Sequence, residues 1–351
     1  MASVIDLIEA FKDTQRMIRE DEQLNAAAME MQAGTMLYLS GYNSIKPKVR
    51  QETPVIIVEE DTTFHAAQHY ALDGDVKVAV LNFANAYNPG GGVRNGAMAQ
   101  EECLCRSSNL YASLTMPYIL KHYYKWNSKN TGERGTDAVI YSPGVTVFKT
   151  DDEIPKIMKP WFQVDVLTCA APYYDAGKRK PIPLEELKEI FIRRIRNILE
   201  IAAANNVDIL VLGAFGCGAF HNPPQLVAEA FRYLLLDKGY GKFFDKILFA
   251  IKKNSVKNQN LSAFKKVFEN KLIYRDTRVL YHIKGTPEYL MTNDTENNSM
   301  ELTKVFSAEI NGKIHMQGLL LGSIFAHDPY IIPNLEKMDC TFEELNPGFF
   351  E

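Results

Sequence analysis

Apolar positions at helical spacing open the chain. Val4, Ile5, Leu7, Ile8 and Phe11, then Met29, Met31, Met36 and Leu37, with acidic residues interspersed, predict one or two leading helices over residues 4 to about 40. Compact apolar runs follow. VKVAVLNFA, AVIYSPGVTVF, FQVDVLTCAA, DILVLGAF and KILFAIKK read as buried strands, and helix candidates lie between or after them at 97–114, 184–204, 223–238 and 258–270. Continuous Val/Ile/Leu runs separated by helices mark an α/β protein with a mixed, mainly parallel sheet covered on both faces.

The pattern changes near Asp276. Beyond it, LTKVFSAEINGKIHMQGLLLGSIF reads as two strands joined at Asn311-Gly312, a dipeptide suited to the positive φ values of a type I′ turn. The polar NDTENNS at 293–299 reads as a loop. The expected organisation is one domain over 1–275 carrying the leading helices, and a small β-rich C-terminal appendage over 276–351.

Composition narrows the class. Of 351 residues, 46% are hydrophobic and 23% charged, the balance of a globular protein with a real core. A net charge of -4 argues against general nucleic-acid binding, which normally goes with surplus Lys and Arg, so an anionic ligand would be held locally. Five cysteines at 103, 105, 169, 217 and 340 show no paired spacing and suit free thiols in a reducing, cytoplasmic compartment. The start, MASVIDLIEAFKDTQ, is unlike a signal peptide, and no apolar stretch approaches membrane-spanning length.

Two glycine-rich loops follow predicted strands. VKVAVLNFA runs into NAYNPGGGVRNGAMAQEE, where Gly90, Gly91 and Gly92 let backbone approach a ligand without a Cβ in the way. DILVLGAF ends in GCGAFHNPP ahead of a helix whose first turn accepts Pro223 or Pro224. Either loop alone is an ordinary strand-to-helix turn, but two together could clamp a diphosphate at the carboxyl ends of the strands. The first loop is neither a P-loop nor GxGxxG, so triphosphate hydrolysis and dinucleotide redox chemistry lose support. Gln100, Glu101 and Glu102 come early in the next predicted helix. Successive helical residues point about 100° apart, so the two carboxylates are expected to divide their roles. One well-placed carboxyl can protonate a glycosidic leaving oxygen and then deprotonate the attacking water. Alone, Glu-Glu in a first helical turn is ordinary dipole compensation.

Taken together, NFANAYNPGGGVRNGAMAQEE and GAFGCGAFHNPP resemble the microbial-type poly(ADP-ribose) glycohydrolases, whose signature is a triple glycine followed after six to eight residues by Gln-Glu-Glu. The likeness extends through RSSNLYASL, IYSPGVTVF and KILFAIKK, over roughly residues 10 to 270, and leaves out the appendage. It implies a macrodomain-like fold, ADP-ribose or poly(ADP-ribose) on modified proteins as ligand, and neither metal nor cofactor. Carried over by motif, Glu102 is the acid/base and Glu101 orients ribose hydroxyls. Asn85 or Asn88 meets the distal ribose. Gly91, Gly92 and Val93, with Gln100, are grouped with the substrate contacts of the first loop. Gly216, Cys217, Gly218 and Ala219 hold the diphosphate from the second loop, and Phe220 packs on the terminal ribose. Phe215 stands where many relatives have Trp. The alternatives are a hydrolase of single ADP-ribose attachments on protein, nucleic acid or small molecule, and a non-catalytic ADP-ribose reader, which the intact Gln-Glu-Glu disfavours.

Other residues carry less. His65 and His69 have a zinc-compatible spacing but no third ligand, and read as helix surface. Cys103 and Cys105 point to different helical faces, and a Cys217 nucleophile would need His221 as its base. The aromatics of KHYYKWNSK could stack on bases, yet at this density they read as core or helix-packing residues.

Overall fold

In the computed structural model, the described residues are 2–39, 49–50, 53–72, 75–177, 181–252 and 259–268, together with the backbone of strands at 278–283, 288–293, 302–310, 313–318 and 335–337. They fall into two compact units, Met1–Glu269 and Asn270–Glu351.

The first unit opens with two helices. Helix α1 (Val4–Glu20) starts at a capping box in which Ser3 and Asp6 each accept the other's backbone N–H, and it buries Leu7, Phe11, Thr14 and Ile18 along one face. Asp21 caps α2 (Glu22–Gly34) by accepting from Leu24 N at 3.0 Å. Met36 and Leu37, grouped with the leading helices by spacing, instead form β1 (Met36–Tyr38), because α2 ends at Gly34.

Next come β2 (Ile56–Glu59), α3 (Thr63–Ala71), β3 (Val78–Phe83), α4 (Gln100–Ser107) and α5 (Leu110–Leu114). A helical segment then runs from α6 (Pro117–Ile119) through a π turn at Leu120–Tyr124 into α7 (Lys125–Asn130). After it lie β4 (Val139–Lys149), β5 (Ile157–Cys169), α8 (Leu184–Ala204), β6 (Ile209–Leu212), α9 (Pro224–Arg232), β7 (Lys246–Ala250) and α10 (Gln259–Phe268). The seven strands order as β1-β4-β5-β3-β6-β7-β2. The pairs from β5 to β2 are parallel, while β4 runs antiparallel to both β5 and β1.

The mixed, mainly parallel sheet of the sequence reading is therefore present, and its covering explains the unbroken apolar runs. Along β3, Ala79 and Leu81 join a core with α8, α9 and α10, whereas Val78 and Val80 join one with α3, α4 and α5. Strands β6 and β7 alternate likewise, with Leu210 and Phe249 on the first side, Val211 and Leu248 on the second.

The second unit is a five-stranded antiparallel sheet, ordered β11-β10-β9-β8-β12, from β8 (Arg278–Ile283), β9 (Glu288–Asn293), β10 (Leu302–Ile310), β11 (Lys313–Gly318) and β12 (Leu335–Lys337). Ile310 pairs with Lys313, so β10 and β11 form the expected hairpin; Asn311 and Gly312 themselves lie outside the described residues, as do 294–299 of the expected polar loop and Cys340. The composition change at Asp276 falls within this unit, before its first strand. Among the described residues no helix is long and apolar enough to cross a membrane.

Candidate active site

Strands β3 and β6 are parallel neighbours at the centre of the sheet, so the loops at their carboxyl ends lie side by side. After β3 the chain turns at Asn85, whose Oδ1 accepts from Tyr87 N at 2.8 Å and Asn88 N at 2.9 Å. Asn88 is exposed. The glycines follow, with Gly90 and Gly91 at φ 68° and 58°, a region only glycine enters cheaply.

The first loop holds the two glutamates. Glu102 Oε1 accepts from Gly92 N at 2.8 Å and its Oε2 from Ala99 N at 3.1 Å, the second bond being the usual return of an N3 glutamate to its N-cap. Glu101 Oε2 accepts from Asn85 N at 2.7 Å and its Oε1 from Asn82 Nδ2 at 3.4 Å. The side chains are 3% and 7% exposed for Glu101 and Glu102. A Cβ on Gly91 would collide with Glu102 Oε1 and sit 3.1 Å from Glu101 Oε2. Successive helical residues start off in different directions, but the loop folded over the helix start lets both carboxyls converge on Gly91. Burial lifts the Glu101 carboxyl to about 8; the N–H of Asn85 lowers it, and the charge of Glu102 adds to the rise.

Not every expected contact faces the same way. Gln100 Oε1 accepts from Phe83 N at 2.8 Å, and its Nε2 donates to Leu81 O at 2.8 Å and Thr63 Oγ1 at 3.1 Å, so its amide fastens the end of β3 to α3. Val93 is fully buried and its N–H donates to Gly90 O at 3.1 Å, which turns it into the core. The N–H of Gly91 donates to Asn88 O at 3.0 Å. First-loop N–H groups thus hold the turn and the carboxyls.

The second loop is the open one. Gly216 sits at φ 73°, and a Cβ there would overlap Ala171 Cβ and lie 2.7 Å from Asn222 Nδ2. Asn222 is buried and donates to Pro172 O at 2.8 Å and Gly216 O at 3.0 Å, cross-bracing the loop. The N–H groups of Gly216, Gly218, Ala219 and Phe220 have no partner among the described residues, and Gly218 faces open space. Successive free N–H groups in a glycine-rich loop suit an anion without a basic side chain. Phe220 lies 6.1 Å from Tyr173 ring to ring, Phe215 packs on Phe83 at 5.9 Å, and Pro224 opens α9.

Burial pushes the Cys217 thiol above its ordinary range, so it remains protonated, and its Sγ lies 3.6 Å from Phe215 O. The His221 ring faces Tyr173 at 5.9 Å. His65 Nδ1 bonds Asp61 at 2.7 Å, and among the described residues no cluster of His, Cys, Asp and Glu could hold a metal. A cavity of about 690 Å³ lies between α1 and the first loop, lined by Phe11, Gln15, Arg19, Arg94 and Tyr111 among others; neither glutamate nor any second-loop residue lines it.

Asn82, Asn222 and Thr63 escaped the sequence reading. Asn82 had a signal, being the one polar residue inside the apolar run VAVLNF. Its Nδ2 also donates to Thr168 Oγ1 at 3.1 Å, while its Oδ1 is buried without a partner.

A buried carboxyl pair at one strand end, with a glycine-rich loop carrying free N–H groups at the next, fits a glycosidase acting on a nucleotide-linked sugar. Comparison with known proteins makes this specific. The family described as Microbial-type PARG, catalytic domain, matches residues 6–150. A crystal structure of poly(ADP-ribose) glycohydrolase from Thermomonospora curvata is 31% identical, with a TM-score of 0.67, over 75% of this chain and 100% of that one. The same enzyme bound to the inhibitor ADP-HPD is 33% identical, TM-score 0.66, over 75% and 99%. The Deinococcus radiodurans enzyme in complex with ADP-ribose is 34% identical, TM-score 0.60, over 69% and 96%. A search of curated proteins finds no match. The chain belongs to the microbial-type poly(ADP-ribose) glycohydrolase family.

Proposed function

We propose that this chain hydrolyses the ribose–ribose O-glycosidic bond of poly(ADP-ribose) and releases ADP-ribose, with Glu102 as acid and then base. The observation that carries this is the convergence of Glu101 and Glu102 on Gly91, next to the free N–H groups of the second loop. The diphosphate lies against Gly216, Cys217, Gly218 and Ala219, with Phe220 on the terminal ribose. Glu102 gives its proton to the leaving ribose oxygen, then takes one from the water that adds to the anomeric carbon. Glu101, neutral at neutral pH, orients ribose hydroxyls by donating and accepting, and Asn85 or Asn88 meets the distal ribose. Gln100 acts as a positioning residue for the end of β3.

The fold is read as macrodomain-like, the work as removal of ADP-ribose from modified proteins in the cytoplasm, and the catalytic domain as the first unit, the β-rich unit being auxiliary. Glu102→Gln keeps size and one accepting oxygen but deletes the proton. Turnover on poly(ADP-ribose) falls about 10²- to 10⁴-fold, while ADP-ribose affinity by calorimetry stays within a few-fold. Near-wild-type hydrolysis by the folded variant refutes the role. Wild-type release from mono-ADP-ribosylated protein or DNA alone, with polymer left intact, moves the assignment to single attachments.

A further inference from the structure

Between Glu102 and Glu133 the sequence holds no acidic residue, in a chain whose net charge is -4. This stretch contains the KHYYKWNSK segment, read from sequence as packing residues. The structure divides it. Ile119, Tyr123, Tyr124 and Asn127 are buried, whereas Tyr118 and Trp126 are 56% and 50% exposed, and Lys121, Lys125 and Lys129 are exposed beside them. The lysines follow one another at four-residue spacing and share one side of the helical segment. Tyr118 and His122 lie 4.6 Å apart ring to ring. Among the described residues none of the three lysines has an ion-pair partner.

The chain just beyond this segment is tied to the first loop. The exposed Tyr87, two residues beyond Asn85, donates its hydroxyl to Gly132 O and ties the end of the segment to the first loop. Exposed aromatic rings among unpaired cations, with no acid in sequence for thirty residues, match a ligand that alternates flat bases with phosphates. In this chain such basicity is local, so a general attraction to polyanions does not explain it.

We propose that the exposed face of Tyr118, Lys121, Lys125, Trp126 and Lys129 is a second, non-catalytic contact for polymeric substrate. It binds adenines and diphosphates of ADP-ribose units beyond the one being cleaved, and so favours long chains over short ones. The proposal rests on the polymer-hydrolase reading above. It adds affinity without touching the reacting bond, so it acts on KM for polymer and leaves kcat alone.

The test uses the full chain in two variants of exposed residues, Trp126→Ala and the triple variant Lys121→Gln, Lys125→Gln, Lys129→Gln, both checked by melting temperature. Hydrolysis is measured on long polymer and on the ADP-ribose dimer. Binding of long polymer is measured in a Glu102→Gln background, with ADP-ribose and single-stranded DNA as comparison ligands. Long-polymer KM and Kd rise at least about fivefold for Trp126→Ala. For the triple variant the slope of log affinity against log salt flattens by about two. Dimer hydrolysis and ADP-ribose affinity stay at wild-type values. Unchanged polymer affinity and salt slope in both variants overturn the proposal, as does equal weakening for single-stranded DNA, which marks a nucleic-acid surface instead. Failure of the catalytic reading is distinct: wild type then cleaves neither polymer nor dimer, whatever the binding results.

Discussion

Gly91→Ala tests the geometry of the carboxyl pair from outside the pair. At φ 58° a side chain is strained, and the new methyl collides with Glu102 Oε1. The left-handed conformation costs about 1–2 kcal/mol. Relieving the collision moves the Glu102 carboxyl and breaks its 2.8 Å bond to Gly92 N, a contact worth about 0.5–1.5 kcal/mol. Stability therefore falls by a few kcal/mol, which a domain of this size tolerates. The larger effect is catalytic, since a displacement of about 1 Å at a reacting group costs on the order of 10²-fold in rate. The second loop is untouched, so ADP-ribose affinity holds. The assay pairs single-turnover release of ADP-ribose from polymer with a thermal melt and a calorimetric titration. A folded, ADP-ribose-binding Gly91→Ala protein with turnover within about threefold of wild type would refute the idea that this glycine exists to admit Glu102.

Two further outcomes follow from the site. Burial raises Glu101 from 4.5 to about 8, so the folded state holds its proton longer than the unfolded chain does. The resulting stability is complete below pH 4.5 and is lost as pH rises to about 8, at up to roughly 1.4 kcal/mol per pH unit. Denaturant unfolding of wild type and Glu101→Gln should converge or cross over that window; parallel pH profiles would show that Glu101 does not hold its proton. Gly216→Ala overlaps Ala171 and presses on Asn222, so ADP-ribose affinity by calorimetry should fall about tenfold, through a loss of about 1–2 kcal/mol, and an unchanged Kd would separate the cradle from ligand binding.

Patterns set by burial were readable in the sequence. Apolar runs on both sides of each central strand led to β3, β5, β6 and β7, and the glycines with Gln-Glu-Glu led to the loop and helix that carry Glu101 and Glu102. Elements without such a pattern were missed. Strand β1 has three residues and no fully buried side chain, and β2 has four residues with only Val58 buried. Side-chain direction was harder still. Gln100 carries the same motif as the glutamates, yet three hydrogen bonds turn it inward, because the end of β3 leaves backbone groups that need partners. Val93 sits among residues expected to meet ligand, and its apolar side chain took the core instead. The meeting of two adjacent glutamates depends on how the loop returns over the helix, a tertiary fact that local spacing does not encode.

The free main-chain N–H groups of the second loop have an evolutionary consequence. At Gly218, Ala219 and Phe220 any residue but proline brings the same donor, so substitutions there can change the side chains around these groups without deleting the donors. Gly91 and Gly216 have no such latitude, since each is hemmed in by side chains at a left-handed backbone angle. The second loop can therefore vary in side chain at three positions while Gly91 and Gly216 tolerate little change.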